Sequence, residues 1–363
     1  MNLTLPRMVI AIVLASLWLS TFCWAQESYP FFRGVRQEGM GGAGIATVDD
    51  ETALFINPAG LGKIRGPYFS VLNAQIESNV TTQSQLSQNS QYLDFVSNPQ
   101  DFLNLAKKSP DVHLHGEAQT LPSFVTTNFG IGLYGKYQAD GQLMSASNLM
   151  QMNYLNDVGA VIGYCFRLFS GRLKIGLSGK IIDRTYVNGT FAGSSTSLAF
   201  SNMGREGVGA GWDGSVMLSA PWAWLPSITG VVHDVGGTNF TLSKGMFNNG
   251  AATPPPQAQV IDLGIGLFPI LDKHTRASIT AEYDDVLNVV TSDVQEGLHV
   301  GGEINFSDIF FLRAGMNEMY WTAGLEFAFG HSQLQLASYG ENIGTIPYQT
   351  EDRRYVIQYG FRF

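Results

Sequence analysis

The chain has 363 residues, 45% hydrophobic and only 14% charged, with 41 glycines, 43 aromatic Phe, Tyr and Trp side chains, and a net charge of −9. The acidic balance argues against a nucleic-acid partner. The low charge, near-neutral mean hydropathy of +0.04 and excess of glycine and aromatics suit a chain that meets lipid through strands rather than helices.

Residues 1–25 read as a secretory signal peptide: Arg7, an apolar run from Met8 to Leu19, then Ser20, Thr21 and Cys23-Trp24-Ala25 with a small residue at the cleavage position. That run is shorter than the roughly 20 residues a membrane helix needs. Phe22 stands where a lipidation signal wants a small residue. The mature chain then keeps one cysteine, Cys165, which leaves no intramolecular disulfide and no redox pair.

Residues 26–64 read as a domain of their own, distinct from the strand-rich remainder of the chain. Gly39, Gly41 and Gly44 spell a G-x-G-x-x-G, but a dinucleotide fingerprint needs a buried strand before it and a helix after it, and RGVRQE is no buried strand. Asn57-Pro58-Ala59-Gly60-Leu61 combines an extended or turn dipeptide, a missing donor and a permissive glycine, so the segment folds back on itself. By itself this is either a surface turn or a plug.

From residue 65 to 363 the chain reads as strand and turn. Period-two alternation predicts 14 strands at 66–79, 121–127, 129–139, 149–168, 172–188, 207–220, 225–236, 257–270, 274–286, 296–306, 308–316, 319–329, 331–340 and 353–363. Between the first two lies a polar outer segment, 80–120, with amphipathic helix over 92–108 broken at Asn98-Pro99 and packed on a loop. His113 and His115 lie within it without a visible third ligand, so no metal site is expected. The odd connections are long and the even ones tight, with Asn317-Glu318 the exception. That parity puts the long loops outside and both termini in the periplasm.

In the last strand Tyr355, Ile357, Tyr359, Phe361 and Phe363 share one face. An amphipathic strand running to a terminal aromatic resembles the signal that outer-membrane barrels offer their insertion machinery. Lys174, Lys180, Asp213, Asp262, Glu282, Glu303, Glu326 and Arg354 fall on the opposite, polar faces, as a mutually paired, water-facing inner wall. Trp222, Trp224, Tyr320, Trp321, Tyr355 and Phe363 fall near strand ends, as interfacial girdles require. The fold class is therefore all-β: a transmembrane antiparallel β-barrel of about 14 strands. Such a lumen is too wide for wall side chains to fill, and the N-terminal segment is the piece available to plug it.

At this point GMGGAGIATVDDETALFINPAGLG resembles the N-terminal hatch of the long-chain fatty-acid transporter (FadL) family, with Gly39, Gly41, Gly42, Ala43, Gly44, Asp49, Asp50, Asn57, Pro58 and Ala59 at the matching positions. The opening is also similar to PorV-type outer-membrane barrels of secretion systems. The first resemblance implies passive uptake of a hydrophobic small molecule: an outer groove captures it, the hatch shifts, and the cargo leaves through a gap in the wall into outer-membrane lipid. Leu198, Phe200, Phe240, Leu242, Met246 and Phe247, on the outer loops, are the groove candidates. The second implies a docking platform for a secretion-system component, with 80–120 and the acidic loops as contact surfaces. No nucleophile and base pattern emerges near either rim, so no enzyme and no cofactor are expected.

Overall fold

The computed structural model describes residues 31–199, 203–242, 252–290, 294–344 and 349–363; the signal-peptide reading therefore lies outside the described residues. The strands are β1 (Tyr68–Asn79), β2 (Leu114–Thr120), β3 (Ser123–Thr126), β4 (Phe129–Met144), β5 (Leu149–Leu168), β6 (Leu173–Ala192), β7 (Arg205–Ser219), β8 (Ser227–His233), β9 (Phe240–Leu242), β10 (Val260–Leu267), β11 (Thr275–Tyr283), β12 (Leu298–Phe306), β13 (Phe310–Asn317), β14 (Tyr320–Phe329), β15 (Ser332–Asn342) and β16 (Glu351–Arg362). Two staves are built from two pieces each: β2 with β3, between β1 and β4, and β8 with β9, against β7. The sheet thus has 14 staves, all antiparallel. It closes where β1 pairs with β16 over Ser70↔Arg362 to Asn79↔Arg354.

Closure follows from the solvent. A strand edge in hydrocarbon leaves unbonded N–H and C=O groups at several kcal/mol each, so a sheet in lipid has to become a cylinder. No helix of the described residues is long and apolar enough to cross a membrane, and the strands carry a lipid-type belt instead. Ile76, Leu133, Ile162, Leu177, Ile181, Trp212, Ile228, Ile265, Ile279, Trp321 and Ile357, spread over ten of the staves, are all exposed on outward positions. Trp222, Trp224 and Phe363 are exposed at the end with the tight turns, where amphipathic rings anchor in the headgroup layer.

The observed elements depart most from the expected ones at two staves and in the segment between β1 and β2. The second stave begins at Leu114, not 121, so the segment outside the barrel is 80–113 rather than 80–120. Leu114, Gly116 and Ala118 alternate with His115, Glu117 and Gln119 there, but the polar face is buried in the lumen, and it makes the run look like a loop. The seventh stave stops at His233 and resumes at Phe240, with Asp234, Gly236 and Gly237 at positive φ in the excursion. The helix placed in 92–108 is the short Pro99–Ala106, with Asn98 Oδ1 accepting from Gln100 N at 3.1 Å as its cap, and a helix not foreseen covers Val80–Gln88.

Pro99–Ala106 does not pack on a loop. Phe102, Leu103, Leu105 and Ala106 pack with Ala139, Leu143, Met150, Met152 and Tyr154, and the Tyr154 hydroxyl donates to the Phe95 carbonyl. These wall residues have the parity opposite to the luminal Gln138 and Asp140, so residues 80–113 close down on the outer side of the extended β4 and β5. Ile265→Arg, in the middle of β10, puts a charge in the belt and should cost about 2–4 kcal/mol; unfolding in lipid by denaturant measures it, and a wild-type midpoint would contradict the lipid-facing assignment.

Candidate functional site

Residues 31–64 contribute the two short helices Val35–Gly39 and Ala53–Ile56 and the 3₁₀ turn Pro58–Lys63, and they lie against the inward faces of the staves. The first contact is backbone to backbone. A Cβ at Gly301 would stand 2.0 Å from the Met40 carbonyl oxygen, and one at Gly315 would stand 2.5 Å from the Met40 carbonyl carbon. Gly176 likewise receives Pro58 and Ala59, with Ala59 N at 2.0 Å from a Cβ built there. Glycines on three separate staves thus make seats for the glycine-rich segment, in which Gly41 and Gly42 have φ of 74° and 81°.

Polar contacts then fix the register. Gly44 N and Ile45 N both donate to one Glu282 oxygen at 2.8 and 2.9 Å. Thr322 Oγ1 donates to Gly39 O at 3.2 Å, and the Gly41 carbonyl lies 3.0 Å from His299 Nδ1. Asn57 is fully buried: its Nδ2 donates to Ile45 O at 2.6 Å and to Thr229 Oγ1 at 3.0 Å, while Oδ1 accepts from Ala59 N at 3.0 Å. Asp49 pairs with Arg36, and Asp50 Oδ1 accepts from Thr52 N at 2.9 Å. Pro58 and Ala59 are buried on the wall.

The eight inner-wall residues expected from the alternation are all buried. Lys180 bonds Asp213 at 2.8 Å and Asp234 at 3.1 Å. Asp262 meets His233 at 3.3 Å and accepts from Asp285 N at 2.8 Å. Glu303 takes a two-pronged bond from Arg36, at 3.0 and 2.8 Å, and a third from Arg313, which also reaches Glu326. Arg354 bonds Asp352 at 3.1 Å, and Lys174 lies beside Gly62. Buried charges need such partners, because an unpaired one costs several kcal/mol.

Arg33, Glu51 and Glu341 in this network were not singled out in the sequence, and His115 was singled out there only as half of an H-x-H without a third ligand. Arg33 bonds Glu341 at 3.0 Å. Glu51 accepts from Tyr68, Asn73 and Arg362. His115 sits between Asp140 and Glu77, at 2.5 and 2.9 Å. Period-two parity flags His115 and Glu341; nothing local flags Arg33 or Glu51. Three of the six groove candidates fall among the described residues. Leu198 packs against the outer cluster over β4 and β5, whereas Phe240 is buried with its ring 5.1 Å from the Arg184 guanidinium. Leu242 ends β9, and Phe200, Met246 and Phe247 lie outside the described residues.

Between residues 31–56 and the long connections lies a cavity of about 460 Å³. Phe31, Phe32, Ile45, Phe55 and Ile56 form its apolar part, and carboxylates dominate the rest. Phe32, Phe55 and Ile56 belong to a buried cluster that continues through Tyr134 to Leu121 and Val125, with Phe55 and Tyr134 ring centroids 4.9 Å apart. Leu121 is where the second stave is broken. The β1 ladder runs to Ala74↔Thr120, skips, and resumes at Ser70↔Ser123, because Pro122 has no N–H to give. The register of β1 on β16 also shifts between Ser70 and Leu72, the mark of a bulge. The β4 side stays bonded through Leu133 N to Pro122 O at 2.9 Å. The interruption is therefore one-sided, with Leu121 inside and Val71 and Leu72 exposed outside.

Gly176→Val should unseat Pro58–Ala59 and raise the conductance of the barrel for small ions in planar bilayers, with wild-type conductance counting against a close backbone fit. Burial pushes the Glu38 carboxyl, on helix Val35–Gly39, up to about 8. The seated segment therefore holds a proton that the released one gives up, and its hold weakens as pH rises from about 4.5 to 8. Open-channel events should grow more frequent over that window, and Glu38→Gln should remove the dependence; an unchanged pH profile in the variant would assign it elsewhere.

No family model matches the sequence, and no curated protein matches it. Solved structures do match along most of the chain. The Ralstonia pickettii toluene transporter TbuX is 14% identical with a TM-score of 0.53, covering 92% of this chain and 99% of that one. The P. putida toluene transporter TodX gives 13% and 0.51 over 92% and 99%, and the CymD monoaromatic hydrocarbon channel 11% and 0.51 over 91% and 96%. At these identities the likeness is one of fold alone, and it agrees with the FadL-type resemblance of the sequence: the chain shares the barrel architecture of these transporters and channels.

Proposed function

We propose that the chain is an outer-membrane channel for passive passage of small hydrophobic molecules, with residues 31–64 as its hatch. The observation that carries this reading is the apolar continuity from Phe32 and Phe55 at the cavity to Leu121 at the broken stave. In this reading the long connections face outward and both termini lie in the periplasm. Cargo reaches the cavity from the long-connection side, moves along the Phe55–Tyr134–Leu121 cluster and leaves between β1 and the β2–β3 junction into lipid. The hatch blocks the straight aqueous path. An oily molecule follows the apolar one because each buried methylene is favoured by about 0.8 kcal/mol over water. The fold shared with hydrocarbon channels supports the same reading. The secretion-platform alternative needs residues 80–113 as an open contact arm; their apolar side instead packs on the outer wall.

The test is uptake of radiolabelled toluene into vesicles carrying the barrel, compared with Leu121→Glu. The variant should lower the initial rate at least several-fold while its small-ion conductance stays low, which shows that the hatch is still seated. Equal uptake by both proteins would sink the wall route.

A further inference from the structure

The broken stave holds polar groups that an apolar route does not account for. Among the described residues five covered hydroxyls have no hydrogen-bond partner, and three of them, on Ser70, Ser123 and Tyr134, lie at this one place. Each of these residues is buried while its chain neighbour Phe69, Phe124 or Leu133 is exposed, so all three point inward. Ser70 pairs with Ser123 across β1 and β3, and Ser123 pairs with Gly132 on β4. Tyr134 is two residues further on the same face of β4. It stands in the gap between Ser123↔Gly132 and Thr120↔Gly135, opposite Leu121-Pro122, and its partner on β5 is Gly159, which has no side chain to bond it. A Cβ built at Gly132 would meet Leu121 Cδ1 at 3.0 Å, Ser123 Cβ at 3.3 Å and Leu54 Cδ1 at 3.4 Å. Ser123 is therefore at the apolar route, and Leu54 of the leading segment covers the spot. Arg362, paired with Ser70, has its charge held by Glu51 at 3.2 Å. What the parting offers is thus hydroxyl groups, each able to donate and accept, in a setting where leaving them unpaired is costly.

Resting on the channel reading above, we infer that these three hydroxyls select cargo at the exit, favouring hydrophobic molecules that carry one neutral oxygen, ketones and alcohols, over hydrocarbons of the same shape. As the molecule passes Leu121, its oxygen bonds Tyr134, Ser123 or Ser70. That bond replaces the one to water that the oxygen gave up on entering the apolar cluster. A hydrocarbon has no such bond to regain, and it passes by burial alone.

The experiment measures initial uptake of radiolabelled acetophenone and α-methylstyrene, which differ only in C=O against C=CH2, into vesicles with a lipopolysaccharide outer leaflet that carry the full-length barrel. Barrel-free vesicles give the blank, and comparing variant with wild type for each compound cancels its partition into lipid. The ketone-to-hydrocarbon rate ratio should fall about fivefold in Tyr134→Phe, the worth of one hydrogen bond of modest net strength. It should fall further when Ser70→Ala and Ser123→Ala are added. Each substitution removes only a hydroxyl, and low small-ion conductance of the variants shows that the leading segment is still seated. Should the triple variant fail to assemble, Tyr134→Phe alone decides. A ratio indifferent to the substitutions, with both rates unchanged or both lowered alike, overturns the inference, while hydrocarbon passage through the wild type leaves the channel reading standing. If neither compound enters faster than the blank, the channel reading fails and the inference fails with it.

Discussion

The structure depends on one requirement: in lipid, every backbone N–H and C=O of the wall has to find its partner within the wall. The pairing of β1 with β16 meets it by abolishing both sheet edges, and the belt of outward Ile, Leu and Trp side chains follows from the same solvent. Fourteen staves enclose more space than the inward side chains can occupy. Residues 31–64 take up part of that space, and the wall accommodates them with glycines at Gly176, Gly301 and Gly315, where backbone meets backbone.

The same requirement gives the broken stave its meaning. A proline in the middle of a membrane strand forfeits a ladder bond, so Pro122 belongs where the ladder has already parted. Leu121, Tyr134 and Phe55 place apolar surface on the inner side of that parting, and Val71 and Leu72 place it on the outer side. The same apolar cluster takes in Val161, Ile182 and Val231 on neighbouring staves, whereas from β11 to β14 the buried inward side chains are polar or charged, Glu282, Glu303, Arg313 and Glu326 among them. That contrast gives an oily molecule a preferred side of the barrel.

Ion pairs also tie the leading segment to the wall. Arg36 bridges Asp49 on its own segment to Glu303 on β12, and Glu303 is shared with Arg313 on β13, which reaches Glu326 on β14. The segment is thus tied to three neighbouring staves through a single chain of charges. Asn57 does the same on the opposite side with neutral bonds to Ile45 and Thr229. Pairing of this kind keeps buried charge tolerable.

Strand identity, stave number and the facing of most side chains were legible in the sequence, because a period of two is a local property: Tyr355, Ile357 and Tyr359 face out and Arg354 and Gln358 face in by neighbour parity alone. The same parity marked Lys180, Asp213 and Glu303 as inward, but not whom they would meet, since partners such as Arg36 and Glu303 are 267 residues apart. Leu114–Thr120 escaped because a strand whose polar face is buried in a lumen has the composition of a loop. The glycine seats, the cavity and its acid excess, and the parting at Leu121–Pro122 were decided only when closure brought distant staves around one segment. Each of them is a relation between residues remote in sequence, and no local pattern encodes such a relation.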